Sequence, residues 1–101
     1  MATFLVELTV QTSGYEKSTQ HLVEAGCKSL ATDYALYCES HDPESLDWDD
    51  KRVVDMGYEF VYTVRSVTEV PAEHLDVLKH YMNVQHYCQL DLAKSGNYVP
   101  F

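Results

Sequence analysis

Two short pairs of cysteine and histidine are the residues of this chain that most resemble metal ligands. Cys38 lies three residues before His41, and His86 lies two residues before Cys88. Two cysteines and two histidines can hold one tetrahedral zinc ion if the segments that carry them meet in space. Each cysteine, however, falls on the apolar side of its predicted element, where a free cysteine usually behaves as a small buried hydrophobic residue. We therefore expect no metal ion and no other cofactor.

A cysteine nucleophile is the second chemistry to consider. The chain has three cysteines and five histidines, but no local motif selects a catalytic set among them. Cys27 alone has a physical argument, because it is predicted at a helix N-terminus, where the helix dipole favours the thiolate. The sequence contains no glycine-rich phosphate loop and no Gly-x-Ser-x-Gly elbow. We predict that the protein is not an enzyme.

Acidic residues are concentrated between Glu39 and Glu59, a stretch that holds 8 of the 16 acids in the chain. Carboxylates at this density can bind Ca²⁺ or Mg²⁺. A calcium loop beginning at Asp42 would need glycine at its sixth position and glutamate at its twelfth, where Asp47 and Val53 stand instead. The spacing therefore predicts a solvated acidic loop and no dedicated metal site.

The same stretch is our candidate for a partner-binding surface. Its only tryptophan, Trp48, is flanked by acids, and an exposed aromatic residue with a polar rim is typical of a binding hot spot. The alternative is that Trp48 packs inward and attaches the loop to the body of the protein. The candidate partner-binding residues are Asp42, Glu44, Asp47, Trp48, Asp49, Asp50, Asp55 and Glu59.

The overall charge indicates which partners these residues suit. The formal net charge is -9, from 16 acidic and 7 basic residues, so phosphate backbones and anionic membranes are repelled. A basic protein surface, including one that normally holds nucleic acid, is attracted. We expect such a surface as the partner, with no direct nucleic-acid or membrane binding. The alternative is that the charge serves only solubility.

Alternating hydrophobicity predicts that a β-hairpin precedes the acidic stretch. Residues 3–12 place Phe4, Val6, Leu8 and Val10 on one face and mostly polar side chains on the other. A short polar turn containing glycine then leads into a second alternating segment, residues 17–24. The pattern is typical of two antiparallel strands with one buried face, although residues 18–25 also fit a helix that Gly26 would interrupt.

The helices and the later strands are predicted from hydrophobic periodicity and from residues that interrupt regular structure. Apolar residues at three- and four-residue steps predict a helix from just after Gly26 to about Ser40, followed by the acidic loop at 39–52. Residues 53–70 are β-rich and divided at Gly57, and the longer piece is apolar on both faces, as in a central strand. A second helix is predicted over 72–82. Residues 84–92 alternate as a last strand, although a continued helix also fits, and the tail at 93–101 contains apolar residues that should dock.

These elements predict one α+β domain over residues 1–101. Its order is β-β-α-β-β-α-β, with a mainly antiparallel sheet and two helices on one face. The odd number of cysteines and the absence of an N-terminal signal pattern suggest free thiols in a reducing cytosol. No apolar run reaches the roughly 18 residues that would span a bilayer. We therefore expect a cytoplasmic protein that is a monomer or a homodimer.

In size, acidity and α+β pattern the whole chain resembles the small acidic proteins of phages and other mobile elements, among them anti-CRISPR and anti-restriction inhibitors. The junction His21-Leu22-Val23-Glu24-Ala25, followed by an alanine-containing amphipathic helix, is also similar to many small phage proteins. Some of the inhibitors are nucleic-acid mimics whose carboxylates occupy the basic groove of a host defence complex. The resemblance implies a non-enzymatic inhibitor that acts in the host cytosol. The alternative is a self-associating module in which a sheet edge or a tyrosine face makes a homodimer.

Overall fold

A computed structural model describes residues 1–49, 52–57 and 59–98 of the chain. Within these ranges the protein has an α+β fold with six strands and three α-helices. The strands are β1 (Ala2–Thr12), β2 (Tyr15–Ala25), β3 (Asp47–Asp49), β4 (Arg52–Asp55), β5 (Phe60–Glu69) and β6 (Val84–His86), and the helices are α1 (Lys28–Glu39), α2 (Ala72–Leu78) and α3 (Gln89–Ala93). A short 3-10 helix, Pro43–Ser45, lies between α1 and β3.

The six strands form one mixed sheet in the order β3-β4-β5-β1-β2-β6. All neighbours are antiparallel except β2 and β6, which are parallel. Because β5 and β2 both run antiparallel to β1, they run in the same direction as each other. The segment containing α2 leaves β5, crosses β1 and β2, and enters β6 in that same direction. The α+β class was predicted correctly, but a mainly antiparallel sheet with two helices on one face describes the molecule only in part.

The predicted hairpin is confirmed as strands β1 and β2, which pair over eleven residues each. A two-residue turn joins them, and Gly14 adopts a φ of 91° there, in a region that side chains with a Cβ rarely enter. The four predicted inward residues of β1 are at most 3% exposed. Alternating hydrophobicity alone was sufficient to predict these two strands, because one face of the hairpin is buried and the other is more exposed to solvent.

Helix α1 was also predicted correctly, and it packs across the covered face of the sheet. Its small residues Ala31 and Ala35 are fully buried, which lets the helix lie close to β1, β2 and β5. The predicted central strand is β5, which lies between β4 and β1 and whose Tyr62 is fully buried. The core therefore lies between the sheet and the helix layer.

The predicted acidic loop is more ordered than its composition suggested. Its middle forms the 3-10 helix and then β3, in which Trp48 pairs with Val53 of β4. The one apolar residue between two aspartates gives the strand an inward face at the edge of the sheet.

The prediction of a single last strand over residues 84–92 was wrong beyond His86, where the chain turns into α3. In a strand Leu90 and Leu92 would share one face. In the structure Leu92 is fully buried, whereas Leu90 is 70% exposed, because only a helix turns the first inward and the second outward. The second helix is also shorter than predicted and ends at Leu78.

Candidate functional site

Four exposed carboxylates lie along one end of the sheet, and we call them the acidic edge: Asp42, Glu44, Asp47 and Asp49. The first two belong to the 3-10 segment and the last two to β3, which is the terminal strand of the sheet. Arg52 Nε lies 3.6 Å from an oxygen of Asp49, in a surface ion pair that contributes little to stability. Glu59 is exposed as well, and the predicted Asp50 lies outside the described residues.

Trp48 supports the acidic edge from within. Its ring centroid lies 4.8 Å from that of Tyr98 in an edge-to-face contact, and the side chain packs against the buried core. The indole Nε1 is buried and has no hydrogen-bond partner among the described residues. Of the two interpretations of this tryptophan, the packing agrees with the one in which it attaches the acidic segment to the body.

Residues of the tail fix the position of β3. The Trp48 backbone N–H donates to Asn97 Oδ1 at 2.6 Å, and Asn97 Nδ2 donates to the Asp47 carboxylate at 3.0 Å. Gly96 adopts a φ of 45°, and a Cβ added to it would lie 1.8 Å from the carbonyl oxygen of Leu46. The tail therefore docks up to residue 98, as predicted, while residues 99–101 lie outside the described residues. The Gly-Asn dipeptide at 96–97 is the sequence signal for this contact.

A cleft of about 300 Å³ opens beside the acidic edge. Asp91 of α3 faces it and also accepts a hydrogen bond from the Tyr34 hydroxyl at 2.7 Å. Burial, together with this carboxylate, raises the pKa of Tyr34, so the hydroxyl stays protonated and continues to donate. The cleft is lined by Tyr37, Asp42, Pro43, Glu44, Asp91 and Lys94. Three carboxylates and one ammonium group give it the character of a receptor for basic side chains.

Asp55 does not belong to the exposed surface, and its prediction as a partner-binding residue is wrong. It is fully buried, and its Oδ2 accepts hydrogen bonds from the His41 backbone N–H at 2.7 Å and from the Tyr62 hydroxyl at 2.8 Å. The reason is its position two residues after Val53, which places it on the covered face of β4. This carboxylate holds the chain where it leaves α1.

His41 completes this buried cluster and was not predicted as part of a binding site. Its ring stacks on Phe60 with the centroids 4.3 Å apart, and its Nδ1 lies 2.8 Å from the Tyr62 hydroxyl oxygen. Burial and the hydrogen bond to Asp55 raise the pKa of Tyr62, which keeps the hydroxyl protonated. The side chain of His41 itself is 51% exposed.

A second histidine, His21, joins three elements at the opposite end of the sheet. Its Nε2 lies 2.8 Å from a Glu39 oxygen of α1, and its Nδ1 lies 2.9 Å from Gln85 Oε1 of β6. The hydrogen bond from His21 lowers the pKa of Glu39, although burial opposes this shift. The contact ties the edge strand β6 to the helix layer.

The four residues of the zinc hypothesis do not form a site. His41 lies against β5, whereas His86 lies on β6, three strands away in the sheet order and beside Glu24. Burial raises the pKa of Cys38 to about 12, which disfavours the thiolate that a metal needs. Within residues 1–49, 52–57 and 59–98, no group of three or more metal-ligating side chains lies close enough to hold an ion. Cys27 is exposed at the start of α1.

No α-helix in the described part of the chain is long and apolar enough to cross a membrane. Comparisons of the chain with protein-family models, with curated proteins and with solved structures gave no match.

Proposed function

We propose that the protein is a non-enzymatic inhibitor whose acidic edge occupies a basic surface on a nucleic-acid-handling host defence complex. The observation that carries this proposal is the position of the carboxylates. All four are exposed, yet Asp42 and Glu44 stand at the start of and within the 3-10 helix, and Asp47 and Asp49 stand on a strand that is attached to the core. A partner therefore meets charges that are already in place, and less ordering entropy is lost on binding.

The arrangement of β3 supports the same proposal. Trp48 points inward, so Asp47 and Asp49 share the other face of the strand, about 7 Å apart along it. Side chains at that spacing can meet two basic residues of a partner at once. Such paired contacts increase both specificity and the rate of encounter.

The net charge of -9 extends the negative electrostatic potential beyond the acidic edge. Clefts and surfaces of one sign raise the association rate of an oppositely charged partner, and the effect falls as salt rises. Lys and Arg residues that normally hold nucleic-acid phosphates are the partner groups that fit. We place the action of the inhibitor in the cytosol of the host cell, where CRISPR and restriction complexes work.

Charge exchange at β3 tests the proposal. We expect wild-type protein expressed in a bacterial host with an active CRISPR or restriction system to restore plaque formation by a targeted phage. The double variant Asp47→Lys/Asp49→Lys should lose this effect, because it replaces two attractive contacts with repulsive ones.

The matched control is Glu73→Lys/Asp76→Lys, which makes the same change in net charge at two exposed positions of α2. It should behave as wild type. Equal plaque counts for the two double variants, in every defence system tried, would mean that the acidic edge has no specific role.

A further inference from the structure

The cluster of His41, Tyr62 and Asp55 contains a carboxylate that is fully removed from water. Asp55 Oδ2 has two donors, the His41 backbone N–H and the Tyr62 hydroxyl, whereas Oδ1 is buried with no partner among the described residues. A buried carboxylate needs every donor that its surroundings provide. The single hydroxyl proton of Tyr62 is therefore committed to Asp55.

This commitment fixes the proton on the ring of His41. The Tyr62 oxygen lies 2.8 Å from His41 Nδ1 and, having given its proton to Asp55, can act only as an acceptor in that contact. Nδ1 must therefore carry a hydrogen. In the neutral ring the other nitrogen, Nε2, is then an acceptor. The side chain is 51% exposed, and Nε2 has no partner among the described residues.

The position of His41 relates it to the proposed binding surface. The residue immediately precedes Asp42, the first carboxylate of the acidic edge, and its ring is held by the stack on Phe60. A fixed ring presents its acceptor in one direction, which lowers the entropy lost when a donor binds.

We propose that His41 Nε2 is an acceptor for a basic side chain, Lys or Arg, of the partner that meets the acidic edge. This inference rests on the proposed function and names one residue that discriminates among basic surfaces. A proton on Nε2 removes the acceptor and places a positive charge against the incoming cation. Binding should therefore be strongest with the ring neutral and should weaken as the pH falls.

Protonation of the carboxylates of the acidic edge also weakens binding of a cation, so comparison of wild type with a variant that lacks the ring is what assigns a pH effect to His41. The ionisable groups that face His41 are Asp55 from β4 and Tyr62 from β5, and the charge of Glu39 in α1 acts on the Tyr62 hydroxyl.

Nitrogen NMR of the wild-type protein tests the proton position directly. Long-range ¹H–¹⁵N correlation spectra of histidine-labelled protein at pH 8 should show His41 with hydrogen on Nδ1 and none on Nε2. His86, which is 70% exposed and whose Nδ1 lies 3.4 Å from a Glu24 oxygen, is the internal comparison. A hydrogen on His41 Nε2 at pH 8 would overturn the proposal, and this measurement needs no variant to fold.

Binding of a nine-residue arginine peptide, measured by calorimetry at pH 8 and pH 5.5, tests the consequence. His41→Phe keeps an aromatic ring for the stack on Phe60 but removes both nitrogens, and it should bind about tenfold more weakly at pH 8. His86→Phe should match wild type. The loss of affinity between pH 8 and 5.5 should be smaller for His41→Phe than for wild type.

Equal affinities of wild type and His41→Phe at both pH values would overturn the role of His41. That result is distinct from failure of the proposed function, which would appear as undiminished peptide binding and plaque formation by Asp47→Lys/Asp49→Lys. An inhibitor that loses activity on charge exchange but not on His41→Phe would use the acidic edge without the histidine.

Discussion

The two ends of the sheet are both three-residue strands, yet they are held in different ways. Strand β3 is fixed by backbone and amide contacts from the tail, through Asn97 and the close approach of Gly96 to Leu46. Strand β6 is joined to the helix layer through His21, which bridges Gln85 and the carboxylate of Glu39. The end that carries the exposed charge is thus positioned mainly by steric contact and by the uncharged amide of Asn97, and the other end depends on a hydrogen bond to the Glu39 carboxylate.

This difference teaches how a strongly acidic surface can be kept in one arrangement. Repulsion among Asp42, Glu44, Asp47 and Asp49 acts to separate the elements that carry them. Steric contact and the hydrogen bond from the Trp48 backbone to the Asn97 amide involve no ionisable group, so they oppose this repulsion when salt or pH changes. A short edge strand also offers little backbone to unwanted pairing.

The largest expected effect comes from breaking the contact that holds β3. Gly96→Ala should lower the free energy of unfolding by about 3 kcal/mol, because the new methyl group meets the Leu46 carbonyl and the backbone is left-handed there. Urea denaturation followed by circular dichroism measures this loss.

The control for this variant is Gly14→Ala, whose φ is also positive but whose Cβ would have no atom within 4 Å. It should cost only about 1 kcal/mol, the backbone part alone. If the two variants lose equal stability, close packing of the tail on β3 is not what holds that edge.

A smaller effect is expected at the other end. Glu39→Gln should lower the free energy of unfolding by about 1.5 kcal/mol at pH 7, because it weakens a hydrogen bond to a charged group. The hydrogen bond from His21 lowers the folded-state pKa of Glu39 below its ordinary value of 4.5. Its stabilising contribution is therefore fully present above that value and is lost as the pH falls through the folded pKa.

The same unfolding measurements at pH 7, 5 and 3 check this sign. The difference between wild type and Glu39→Gln should be unchanged between pH 7 and 5 and should shrink toward pH 3. The difference in stability between Gly96→Ala and Gly14→Ala should stay constant over the same range, and a difference that also shrinks there would remove the contrast between the two ends.

The smallest effect tests the amide contact by itself. Asn97→Ala removes one donor and one acceptor at an exposed position and should cost about 1 kcal/mol. Its larger consequence should be local, with faster hydrogen exchange at the Trp48 amide and no change in β6. Unaltered exchange at Trp48 would mean that the tail does not restrain β3.

The sequence predicted the parts of the fold whose pattern is long enough to be read locally. The eleven-residue strands β1 and β2 and the twelve-residue helix α1 follow from periodicity alone. In contrast, α3 and β3 have five residues or fewer, and tertiary contacts decide their form. Leu92 lies in a helix because the helix turns its side chain toward the core, and no local sequence pattern indicates this.

For the candidate site, the sequence predicted the exposed carboxylates but misassigned Asp55. Formal charge suggests a surface position, whereas pairing opposite Phe60 and the even spacing from Val53 place the side chain inside. The sequence did not indicate this role of His41, because the role depends on Tyr62 and Asp55, which the folded sheet brings next to it. The role of a side chain cannot be predicted from residue spacing when it depends on contacts with residues far away in the chain.

The contact between Asn97 and Trp48 also bears on the order in which the protein assembles. The hairpin needs only the first quarter of the chain, while β3 is restrained by a residue 49 positions further on. Local contacts generally form before distant ones. The hairpin can therefore fold while translation of the chain continues. The surface that would meet a partner takes its final arrangement only after residue 98 has emerged from the ribosome.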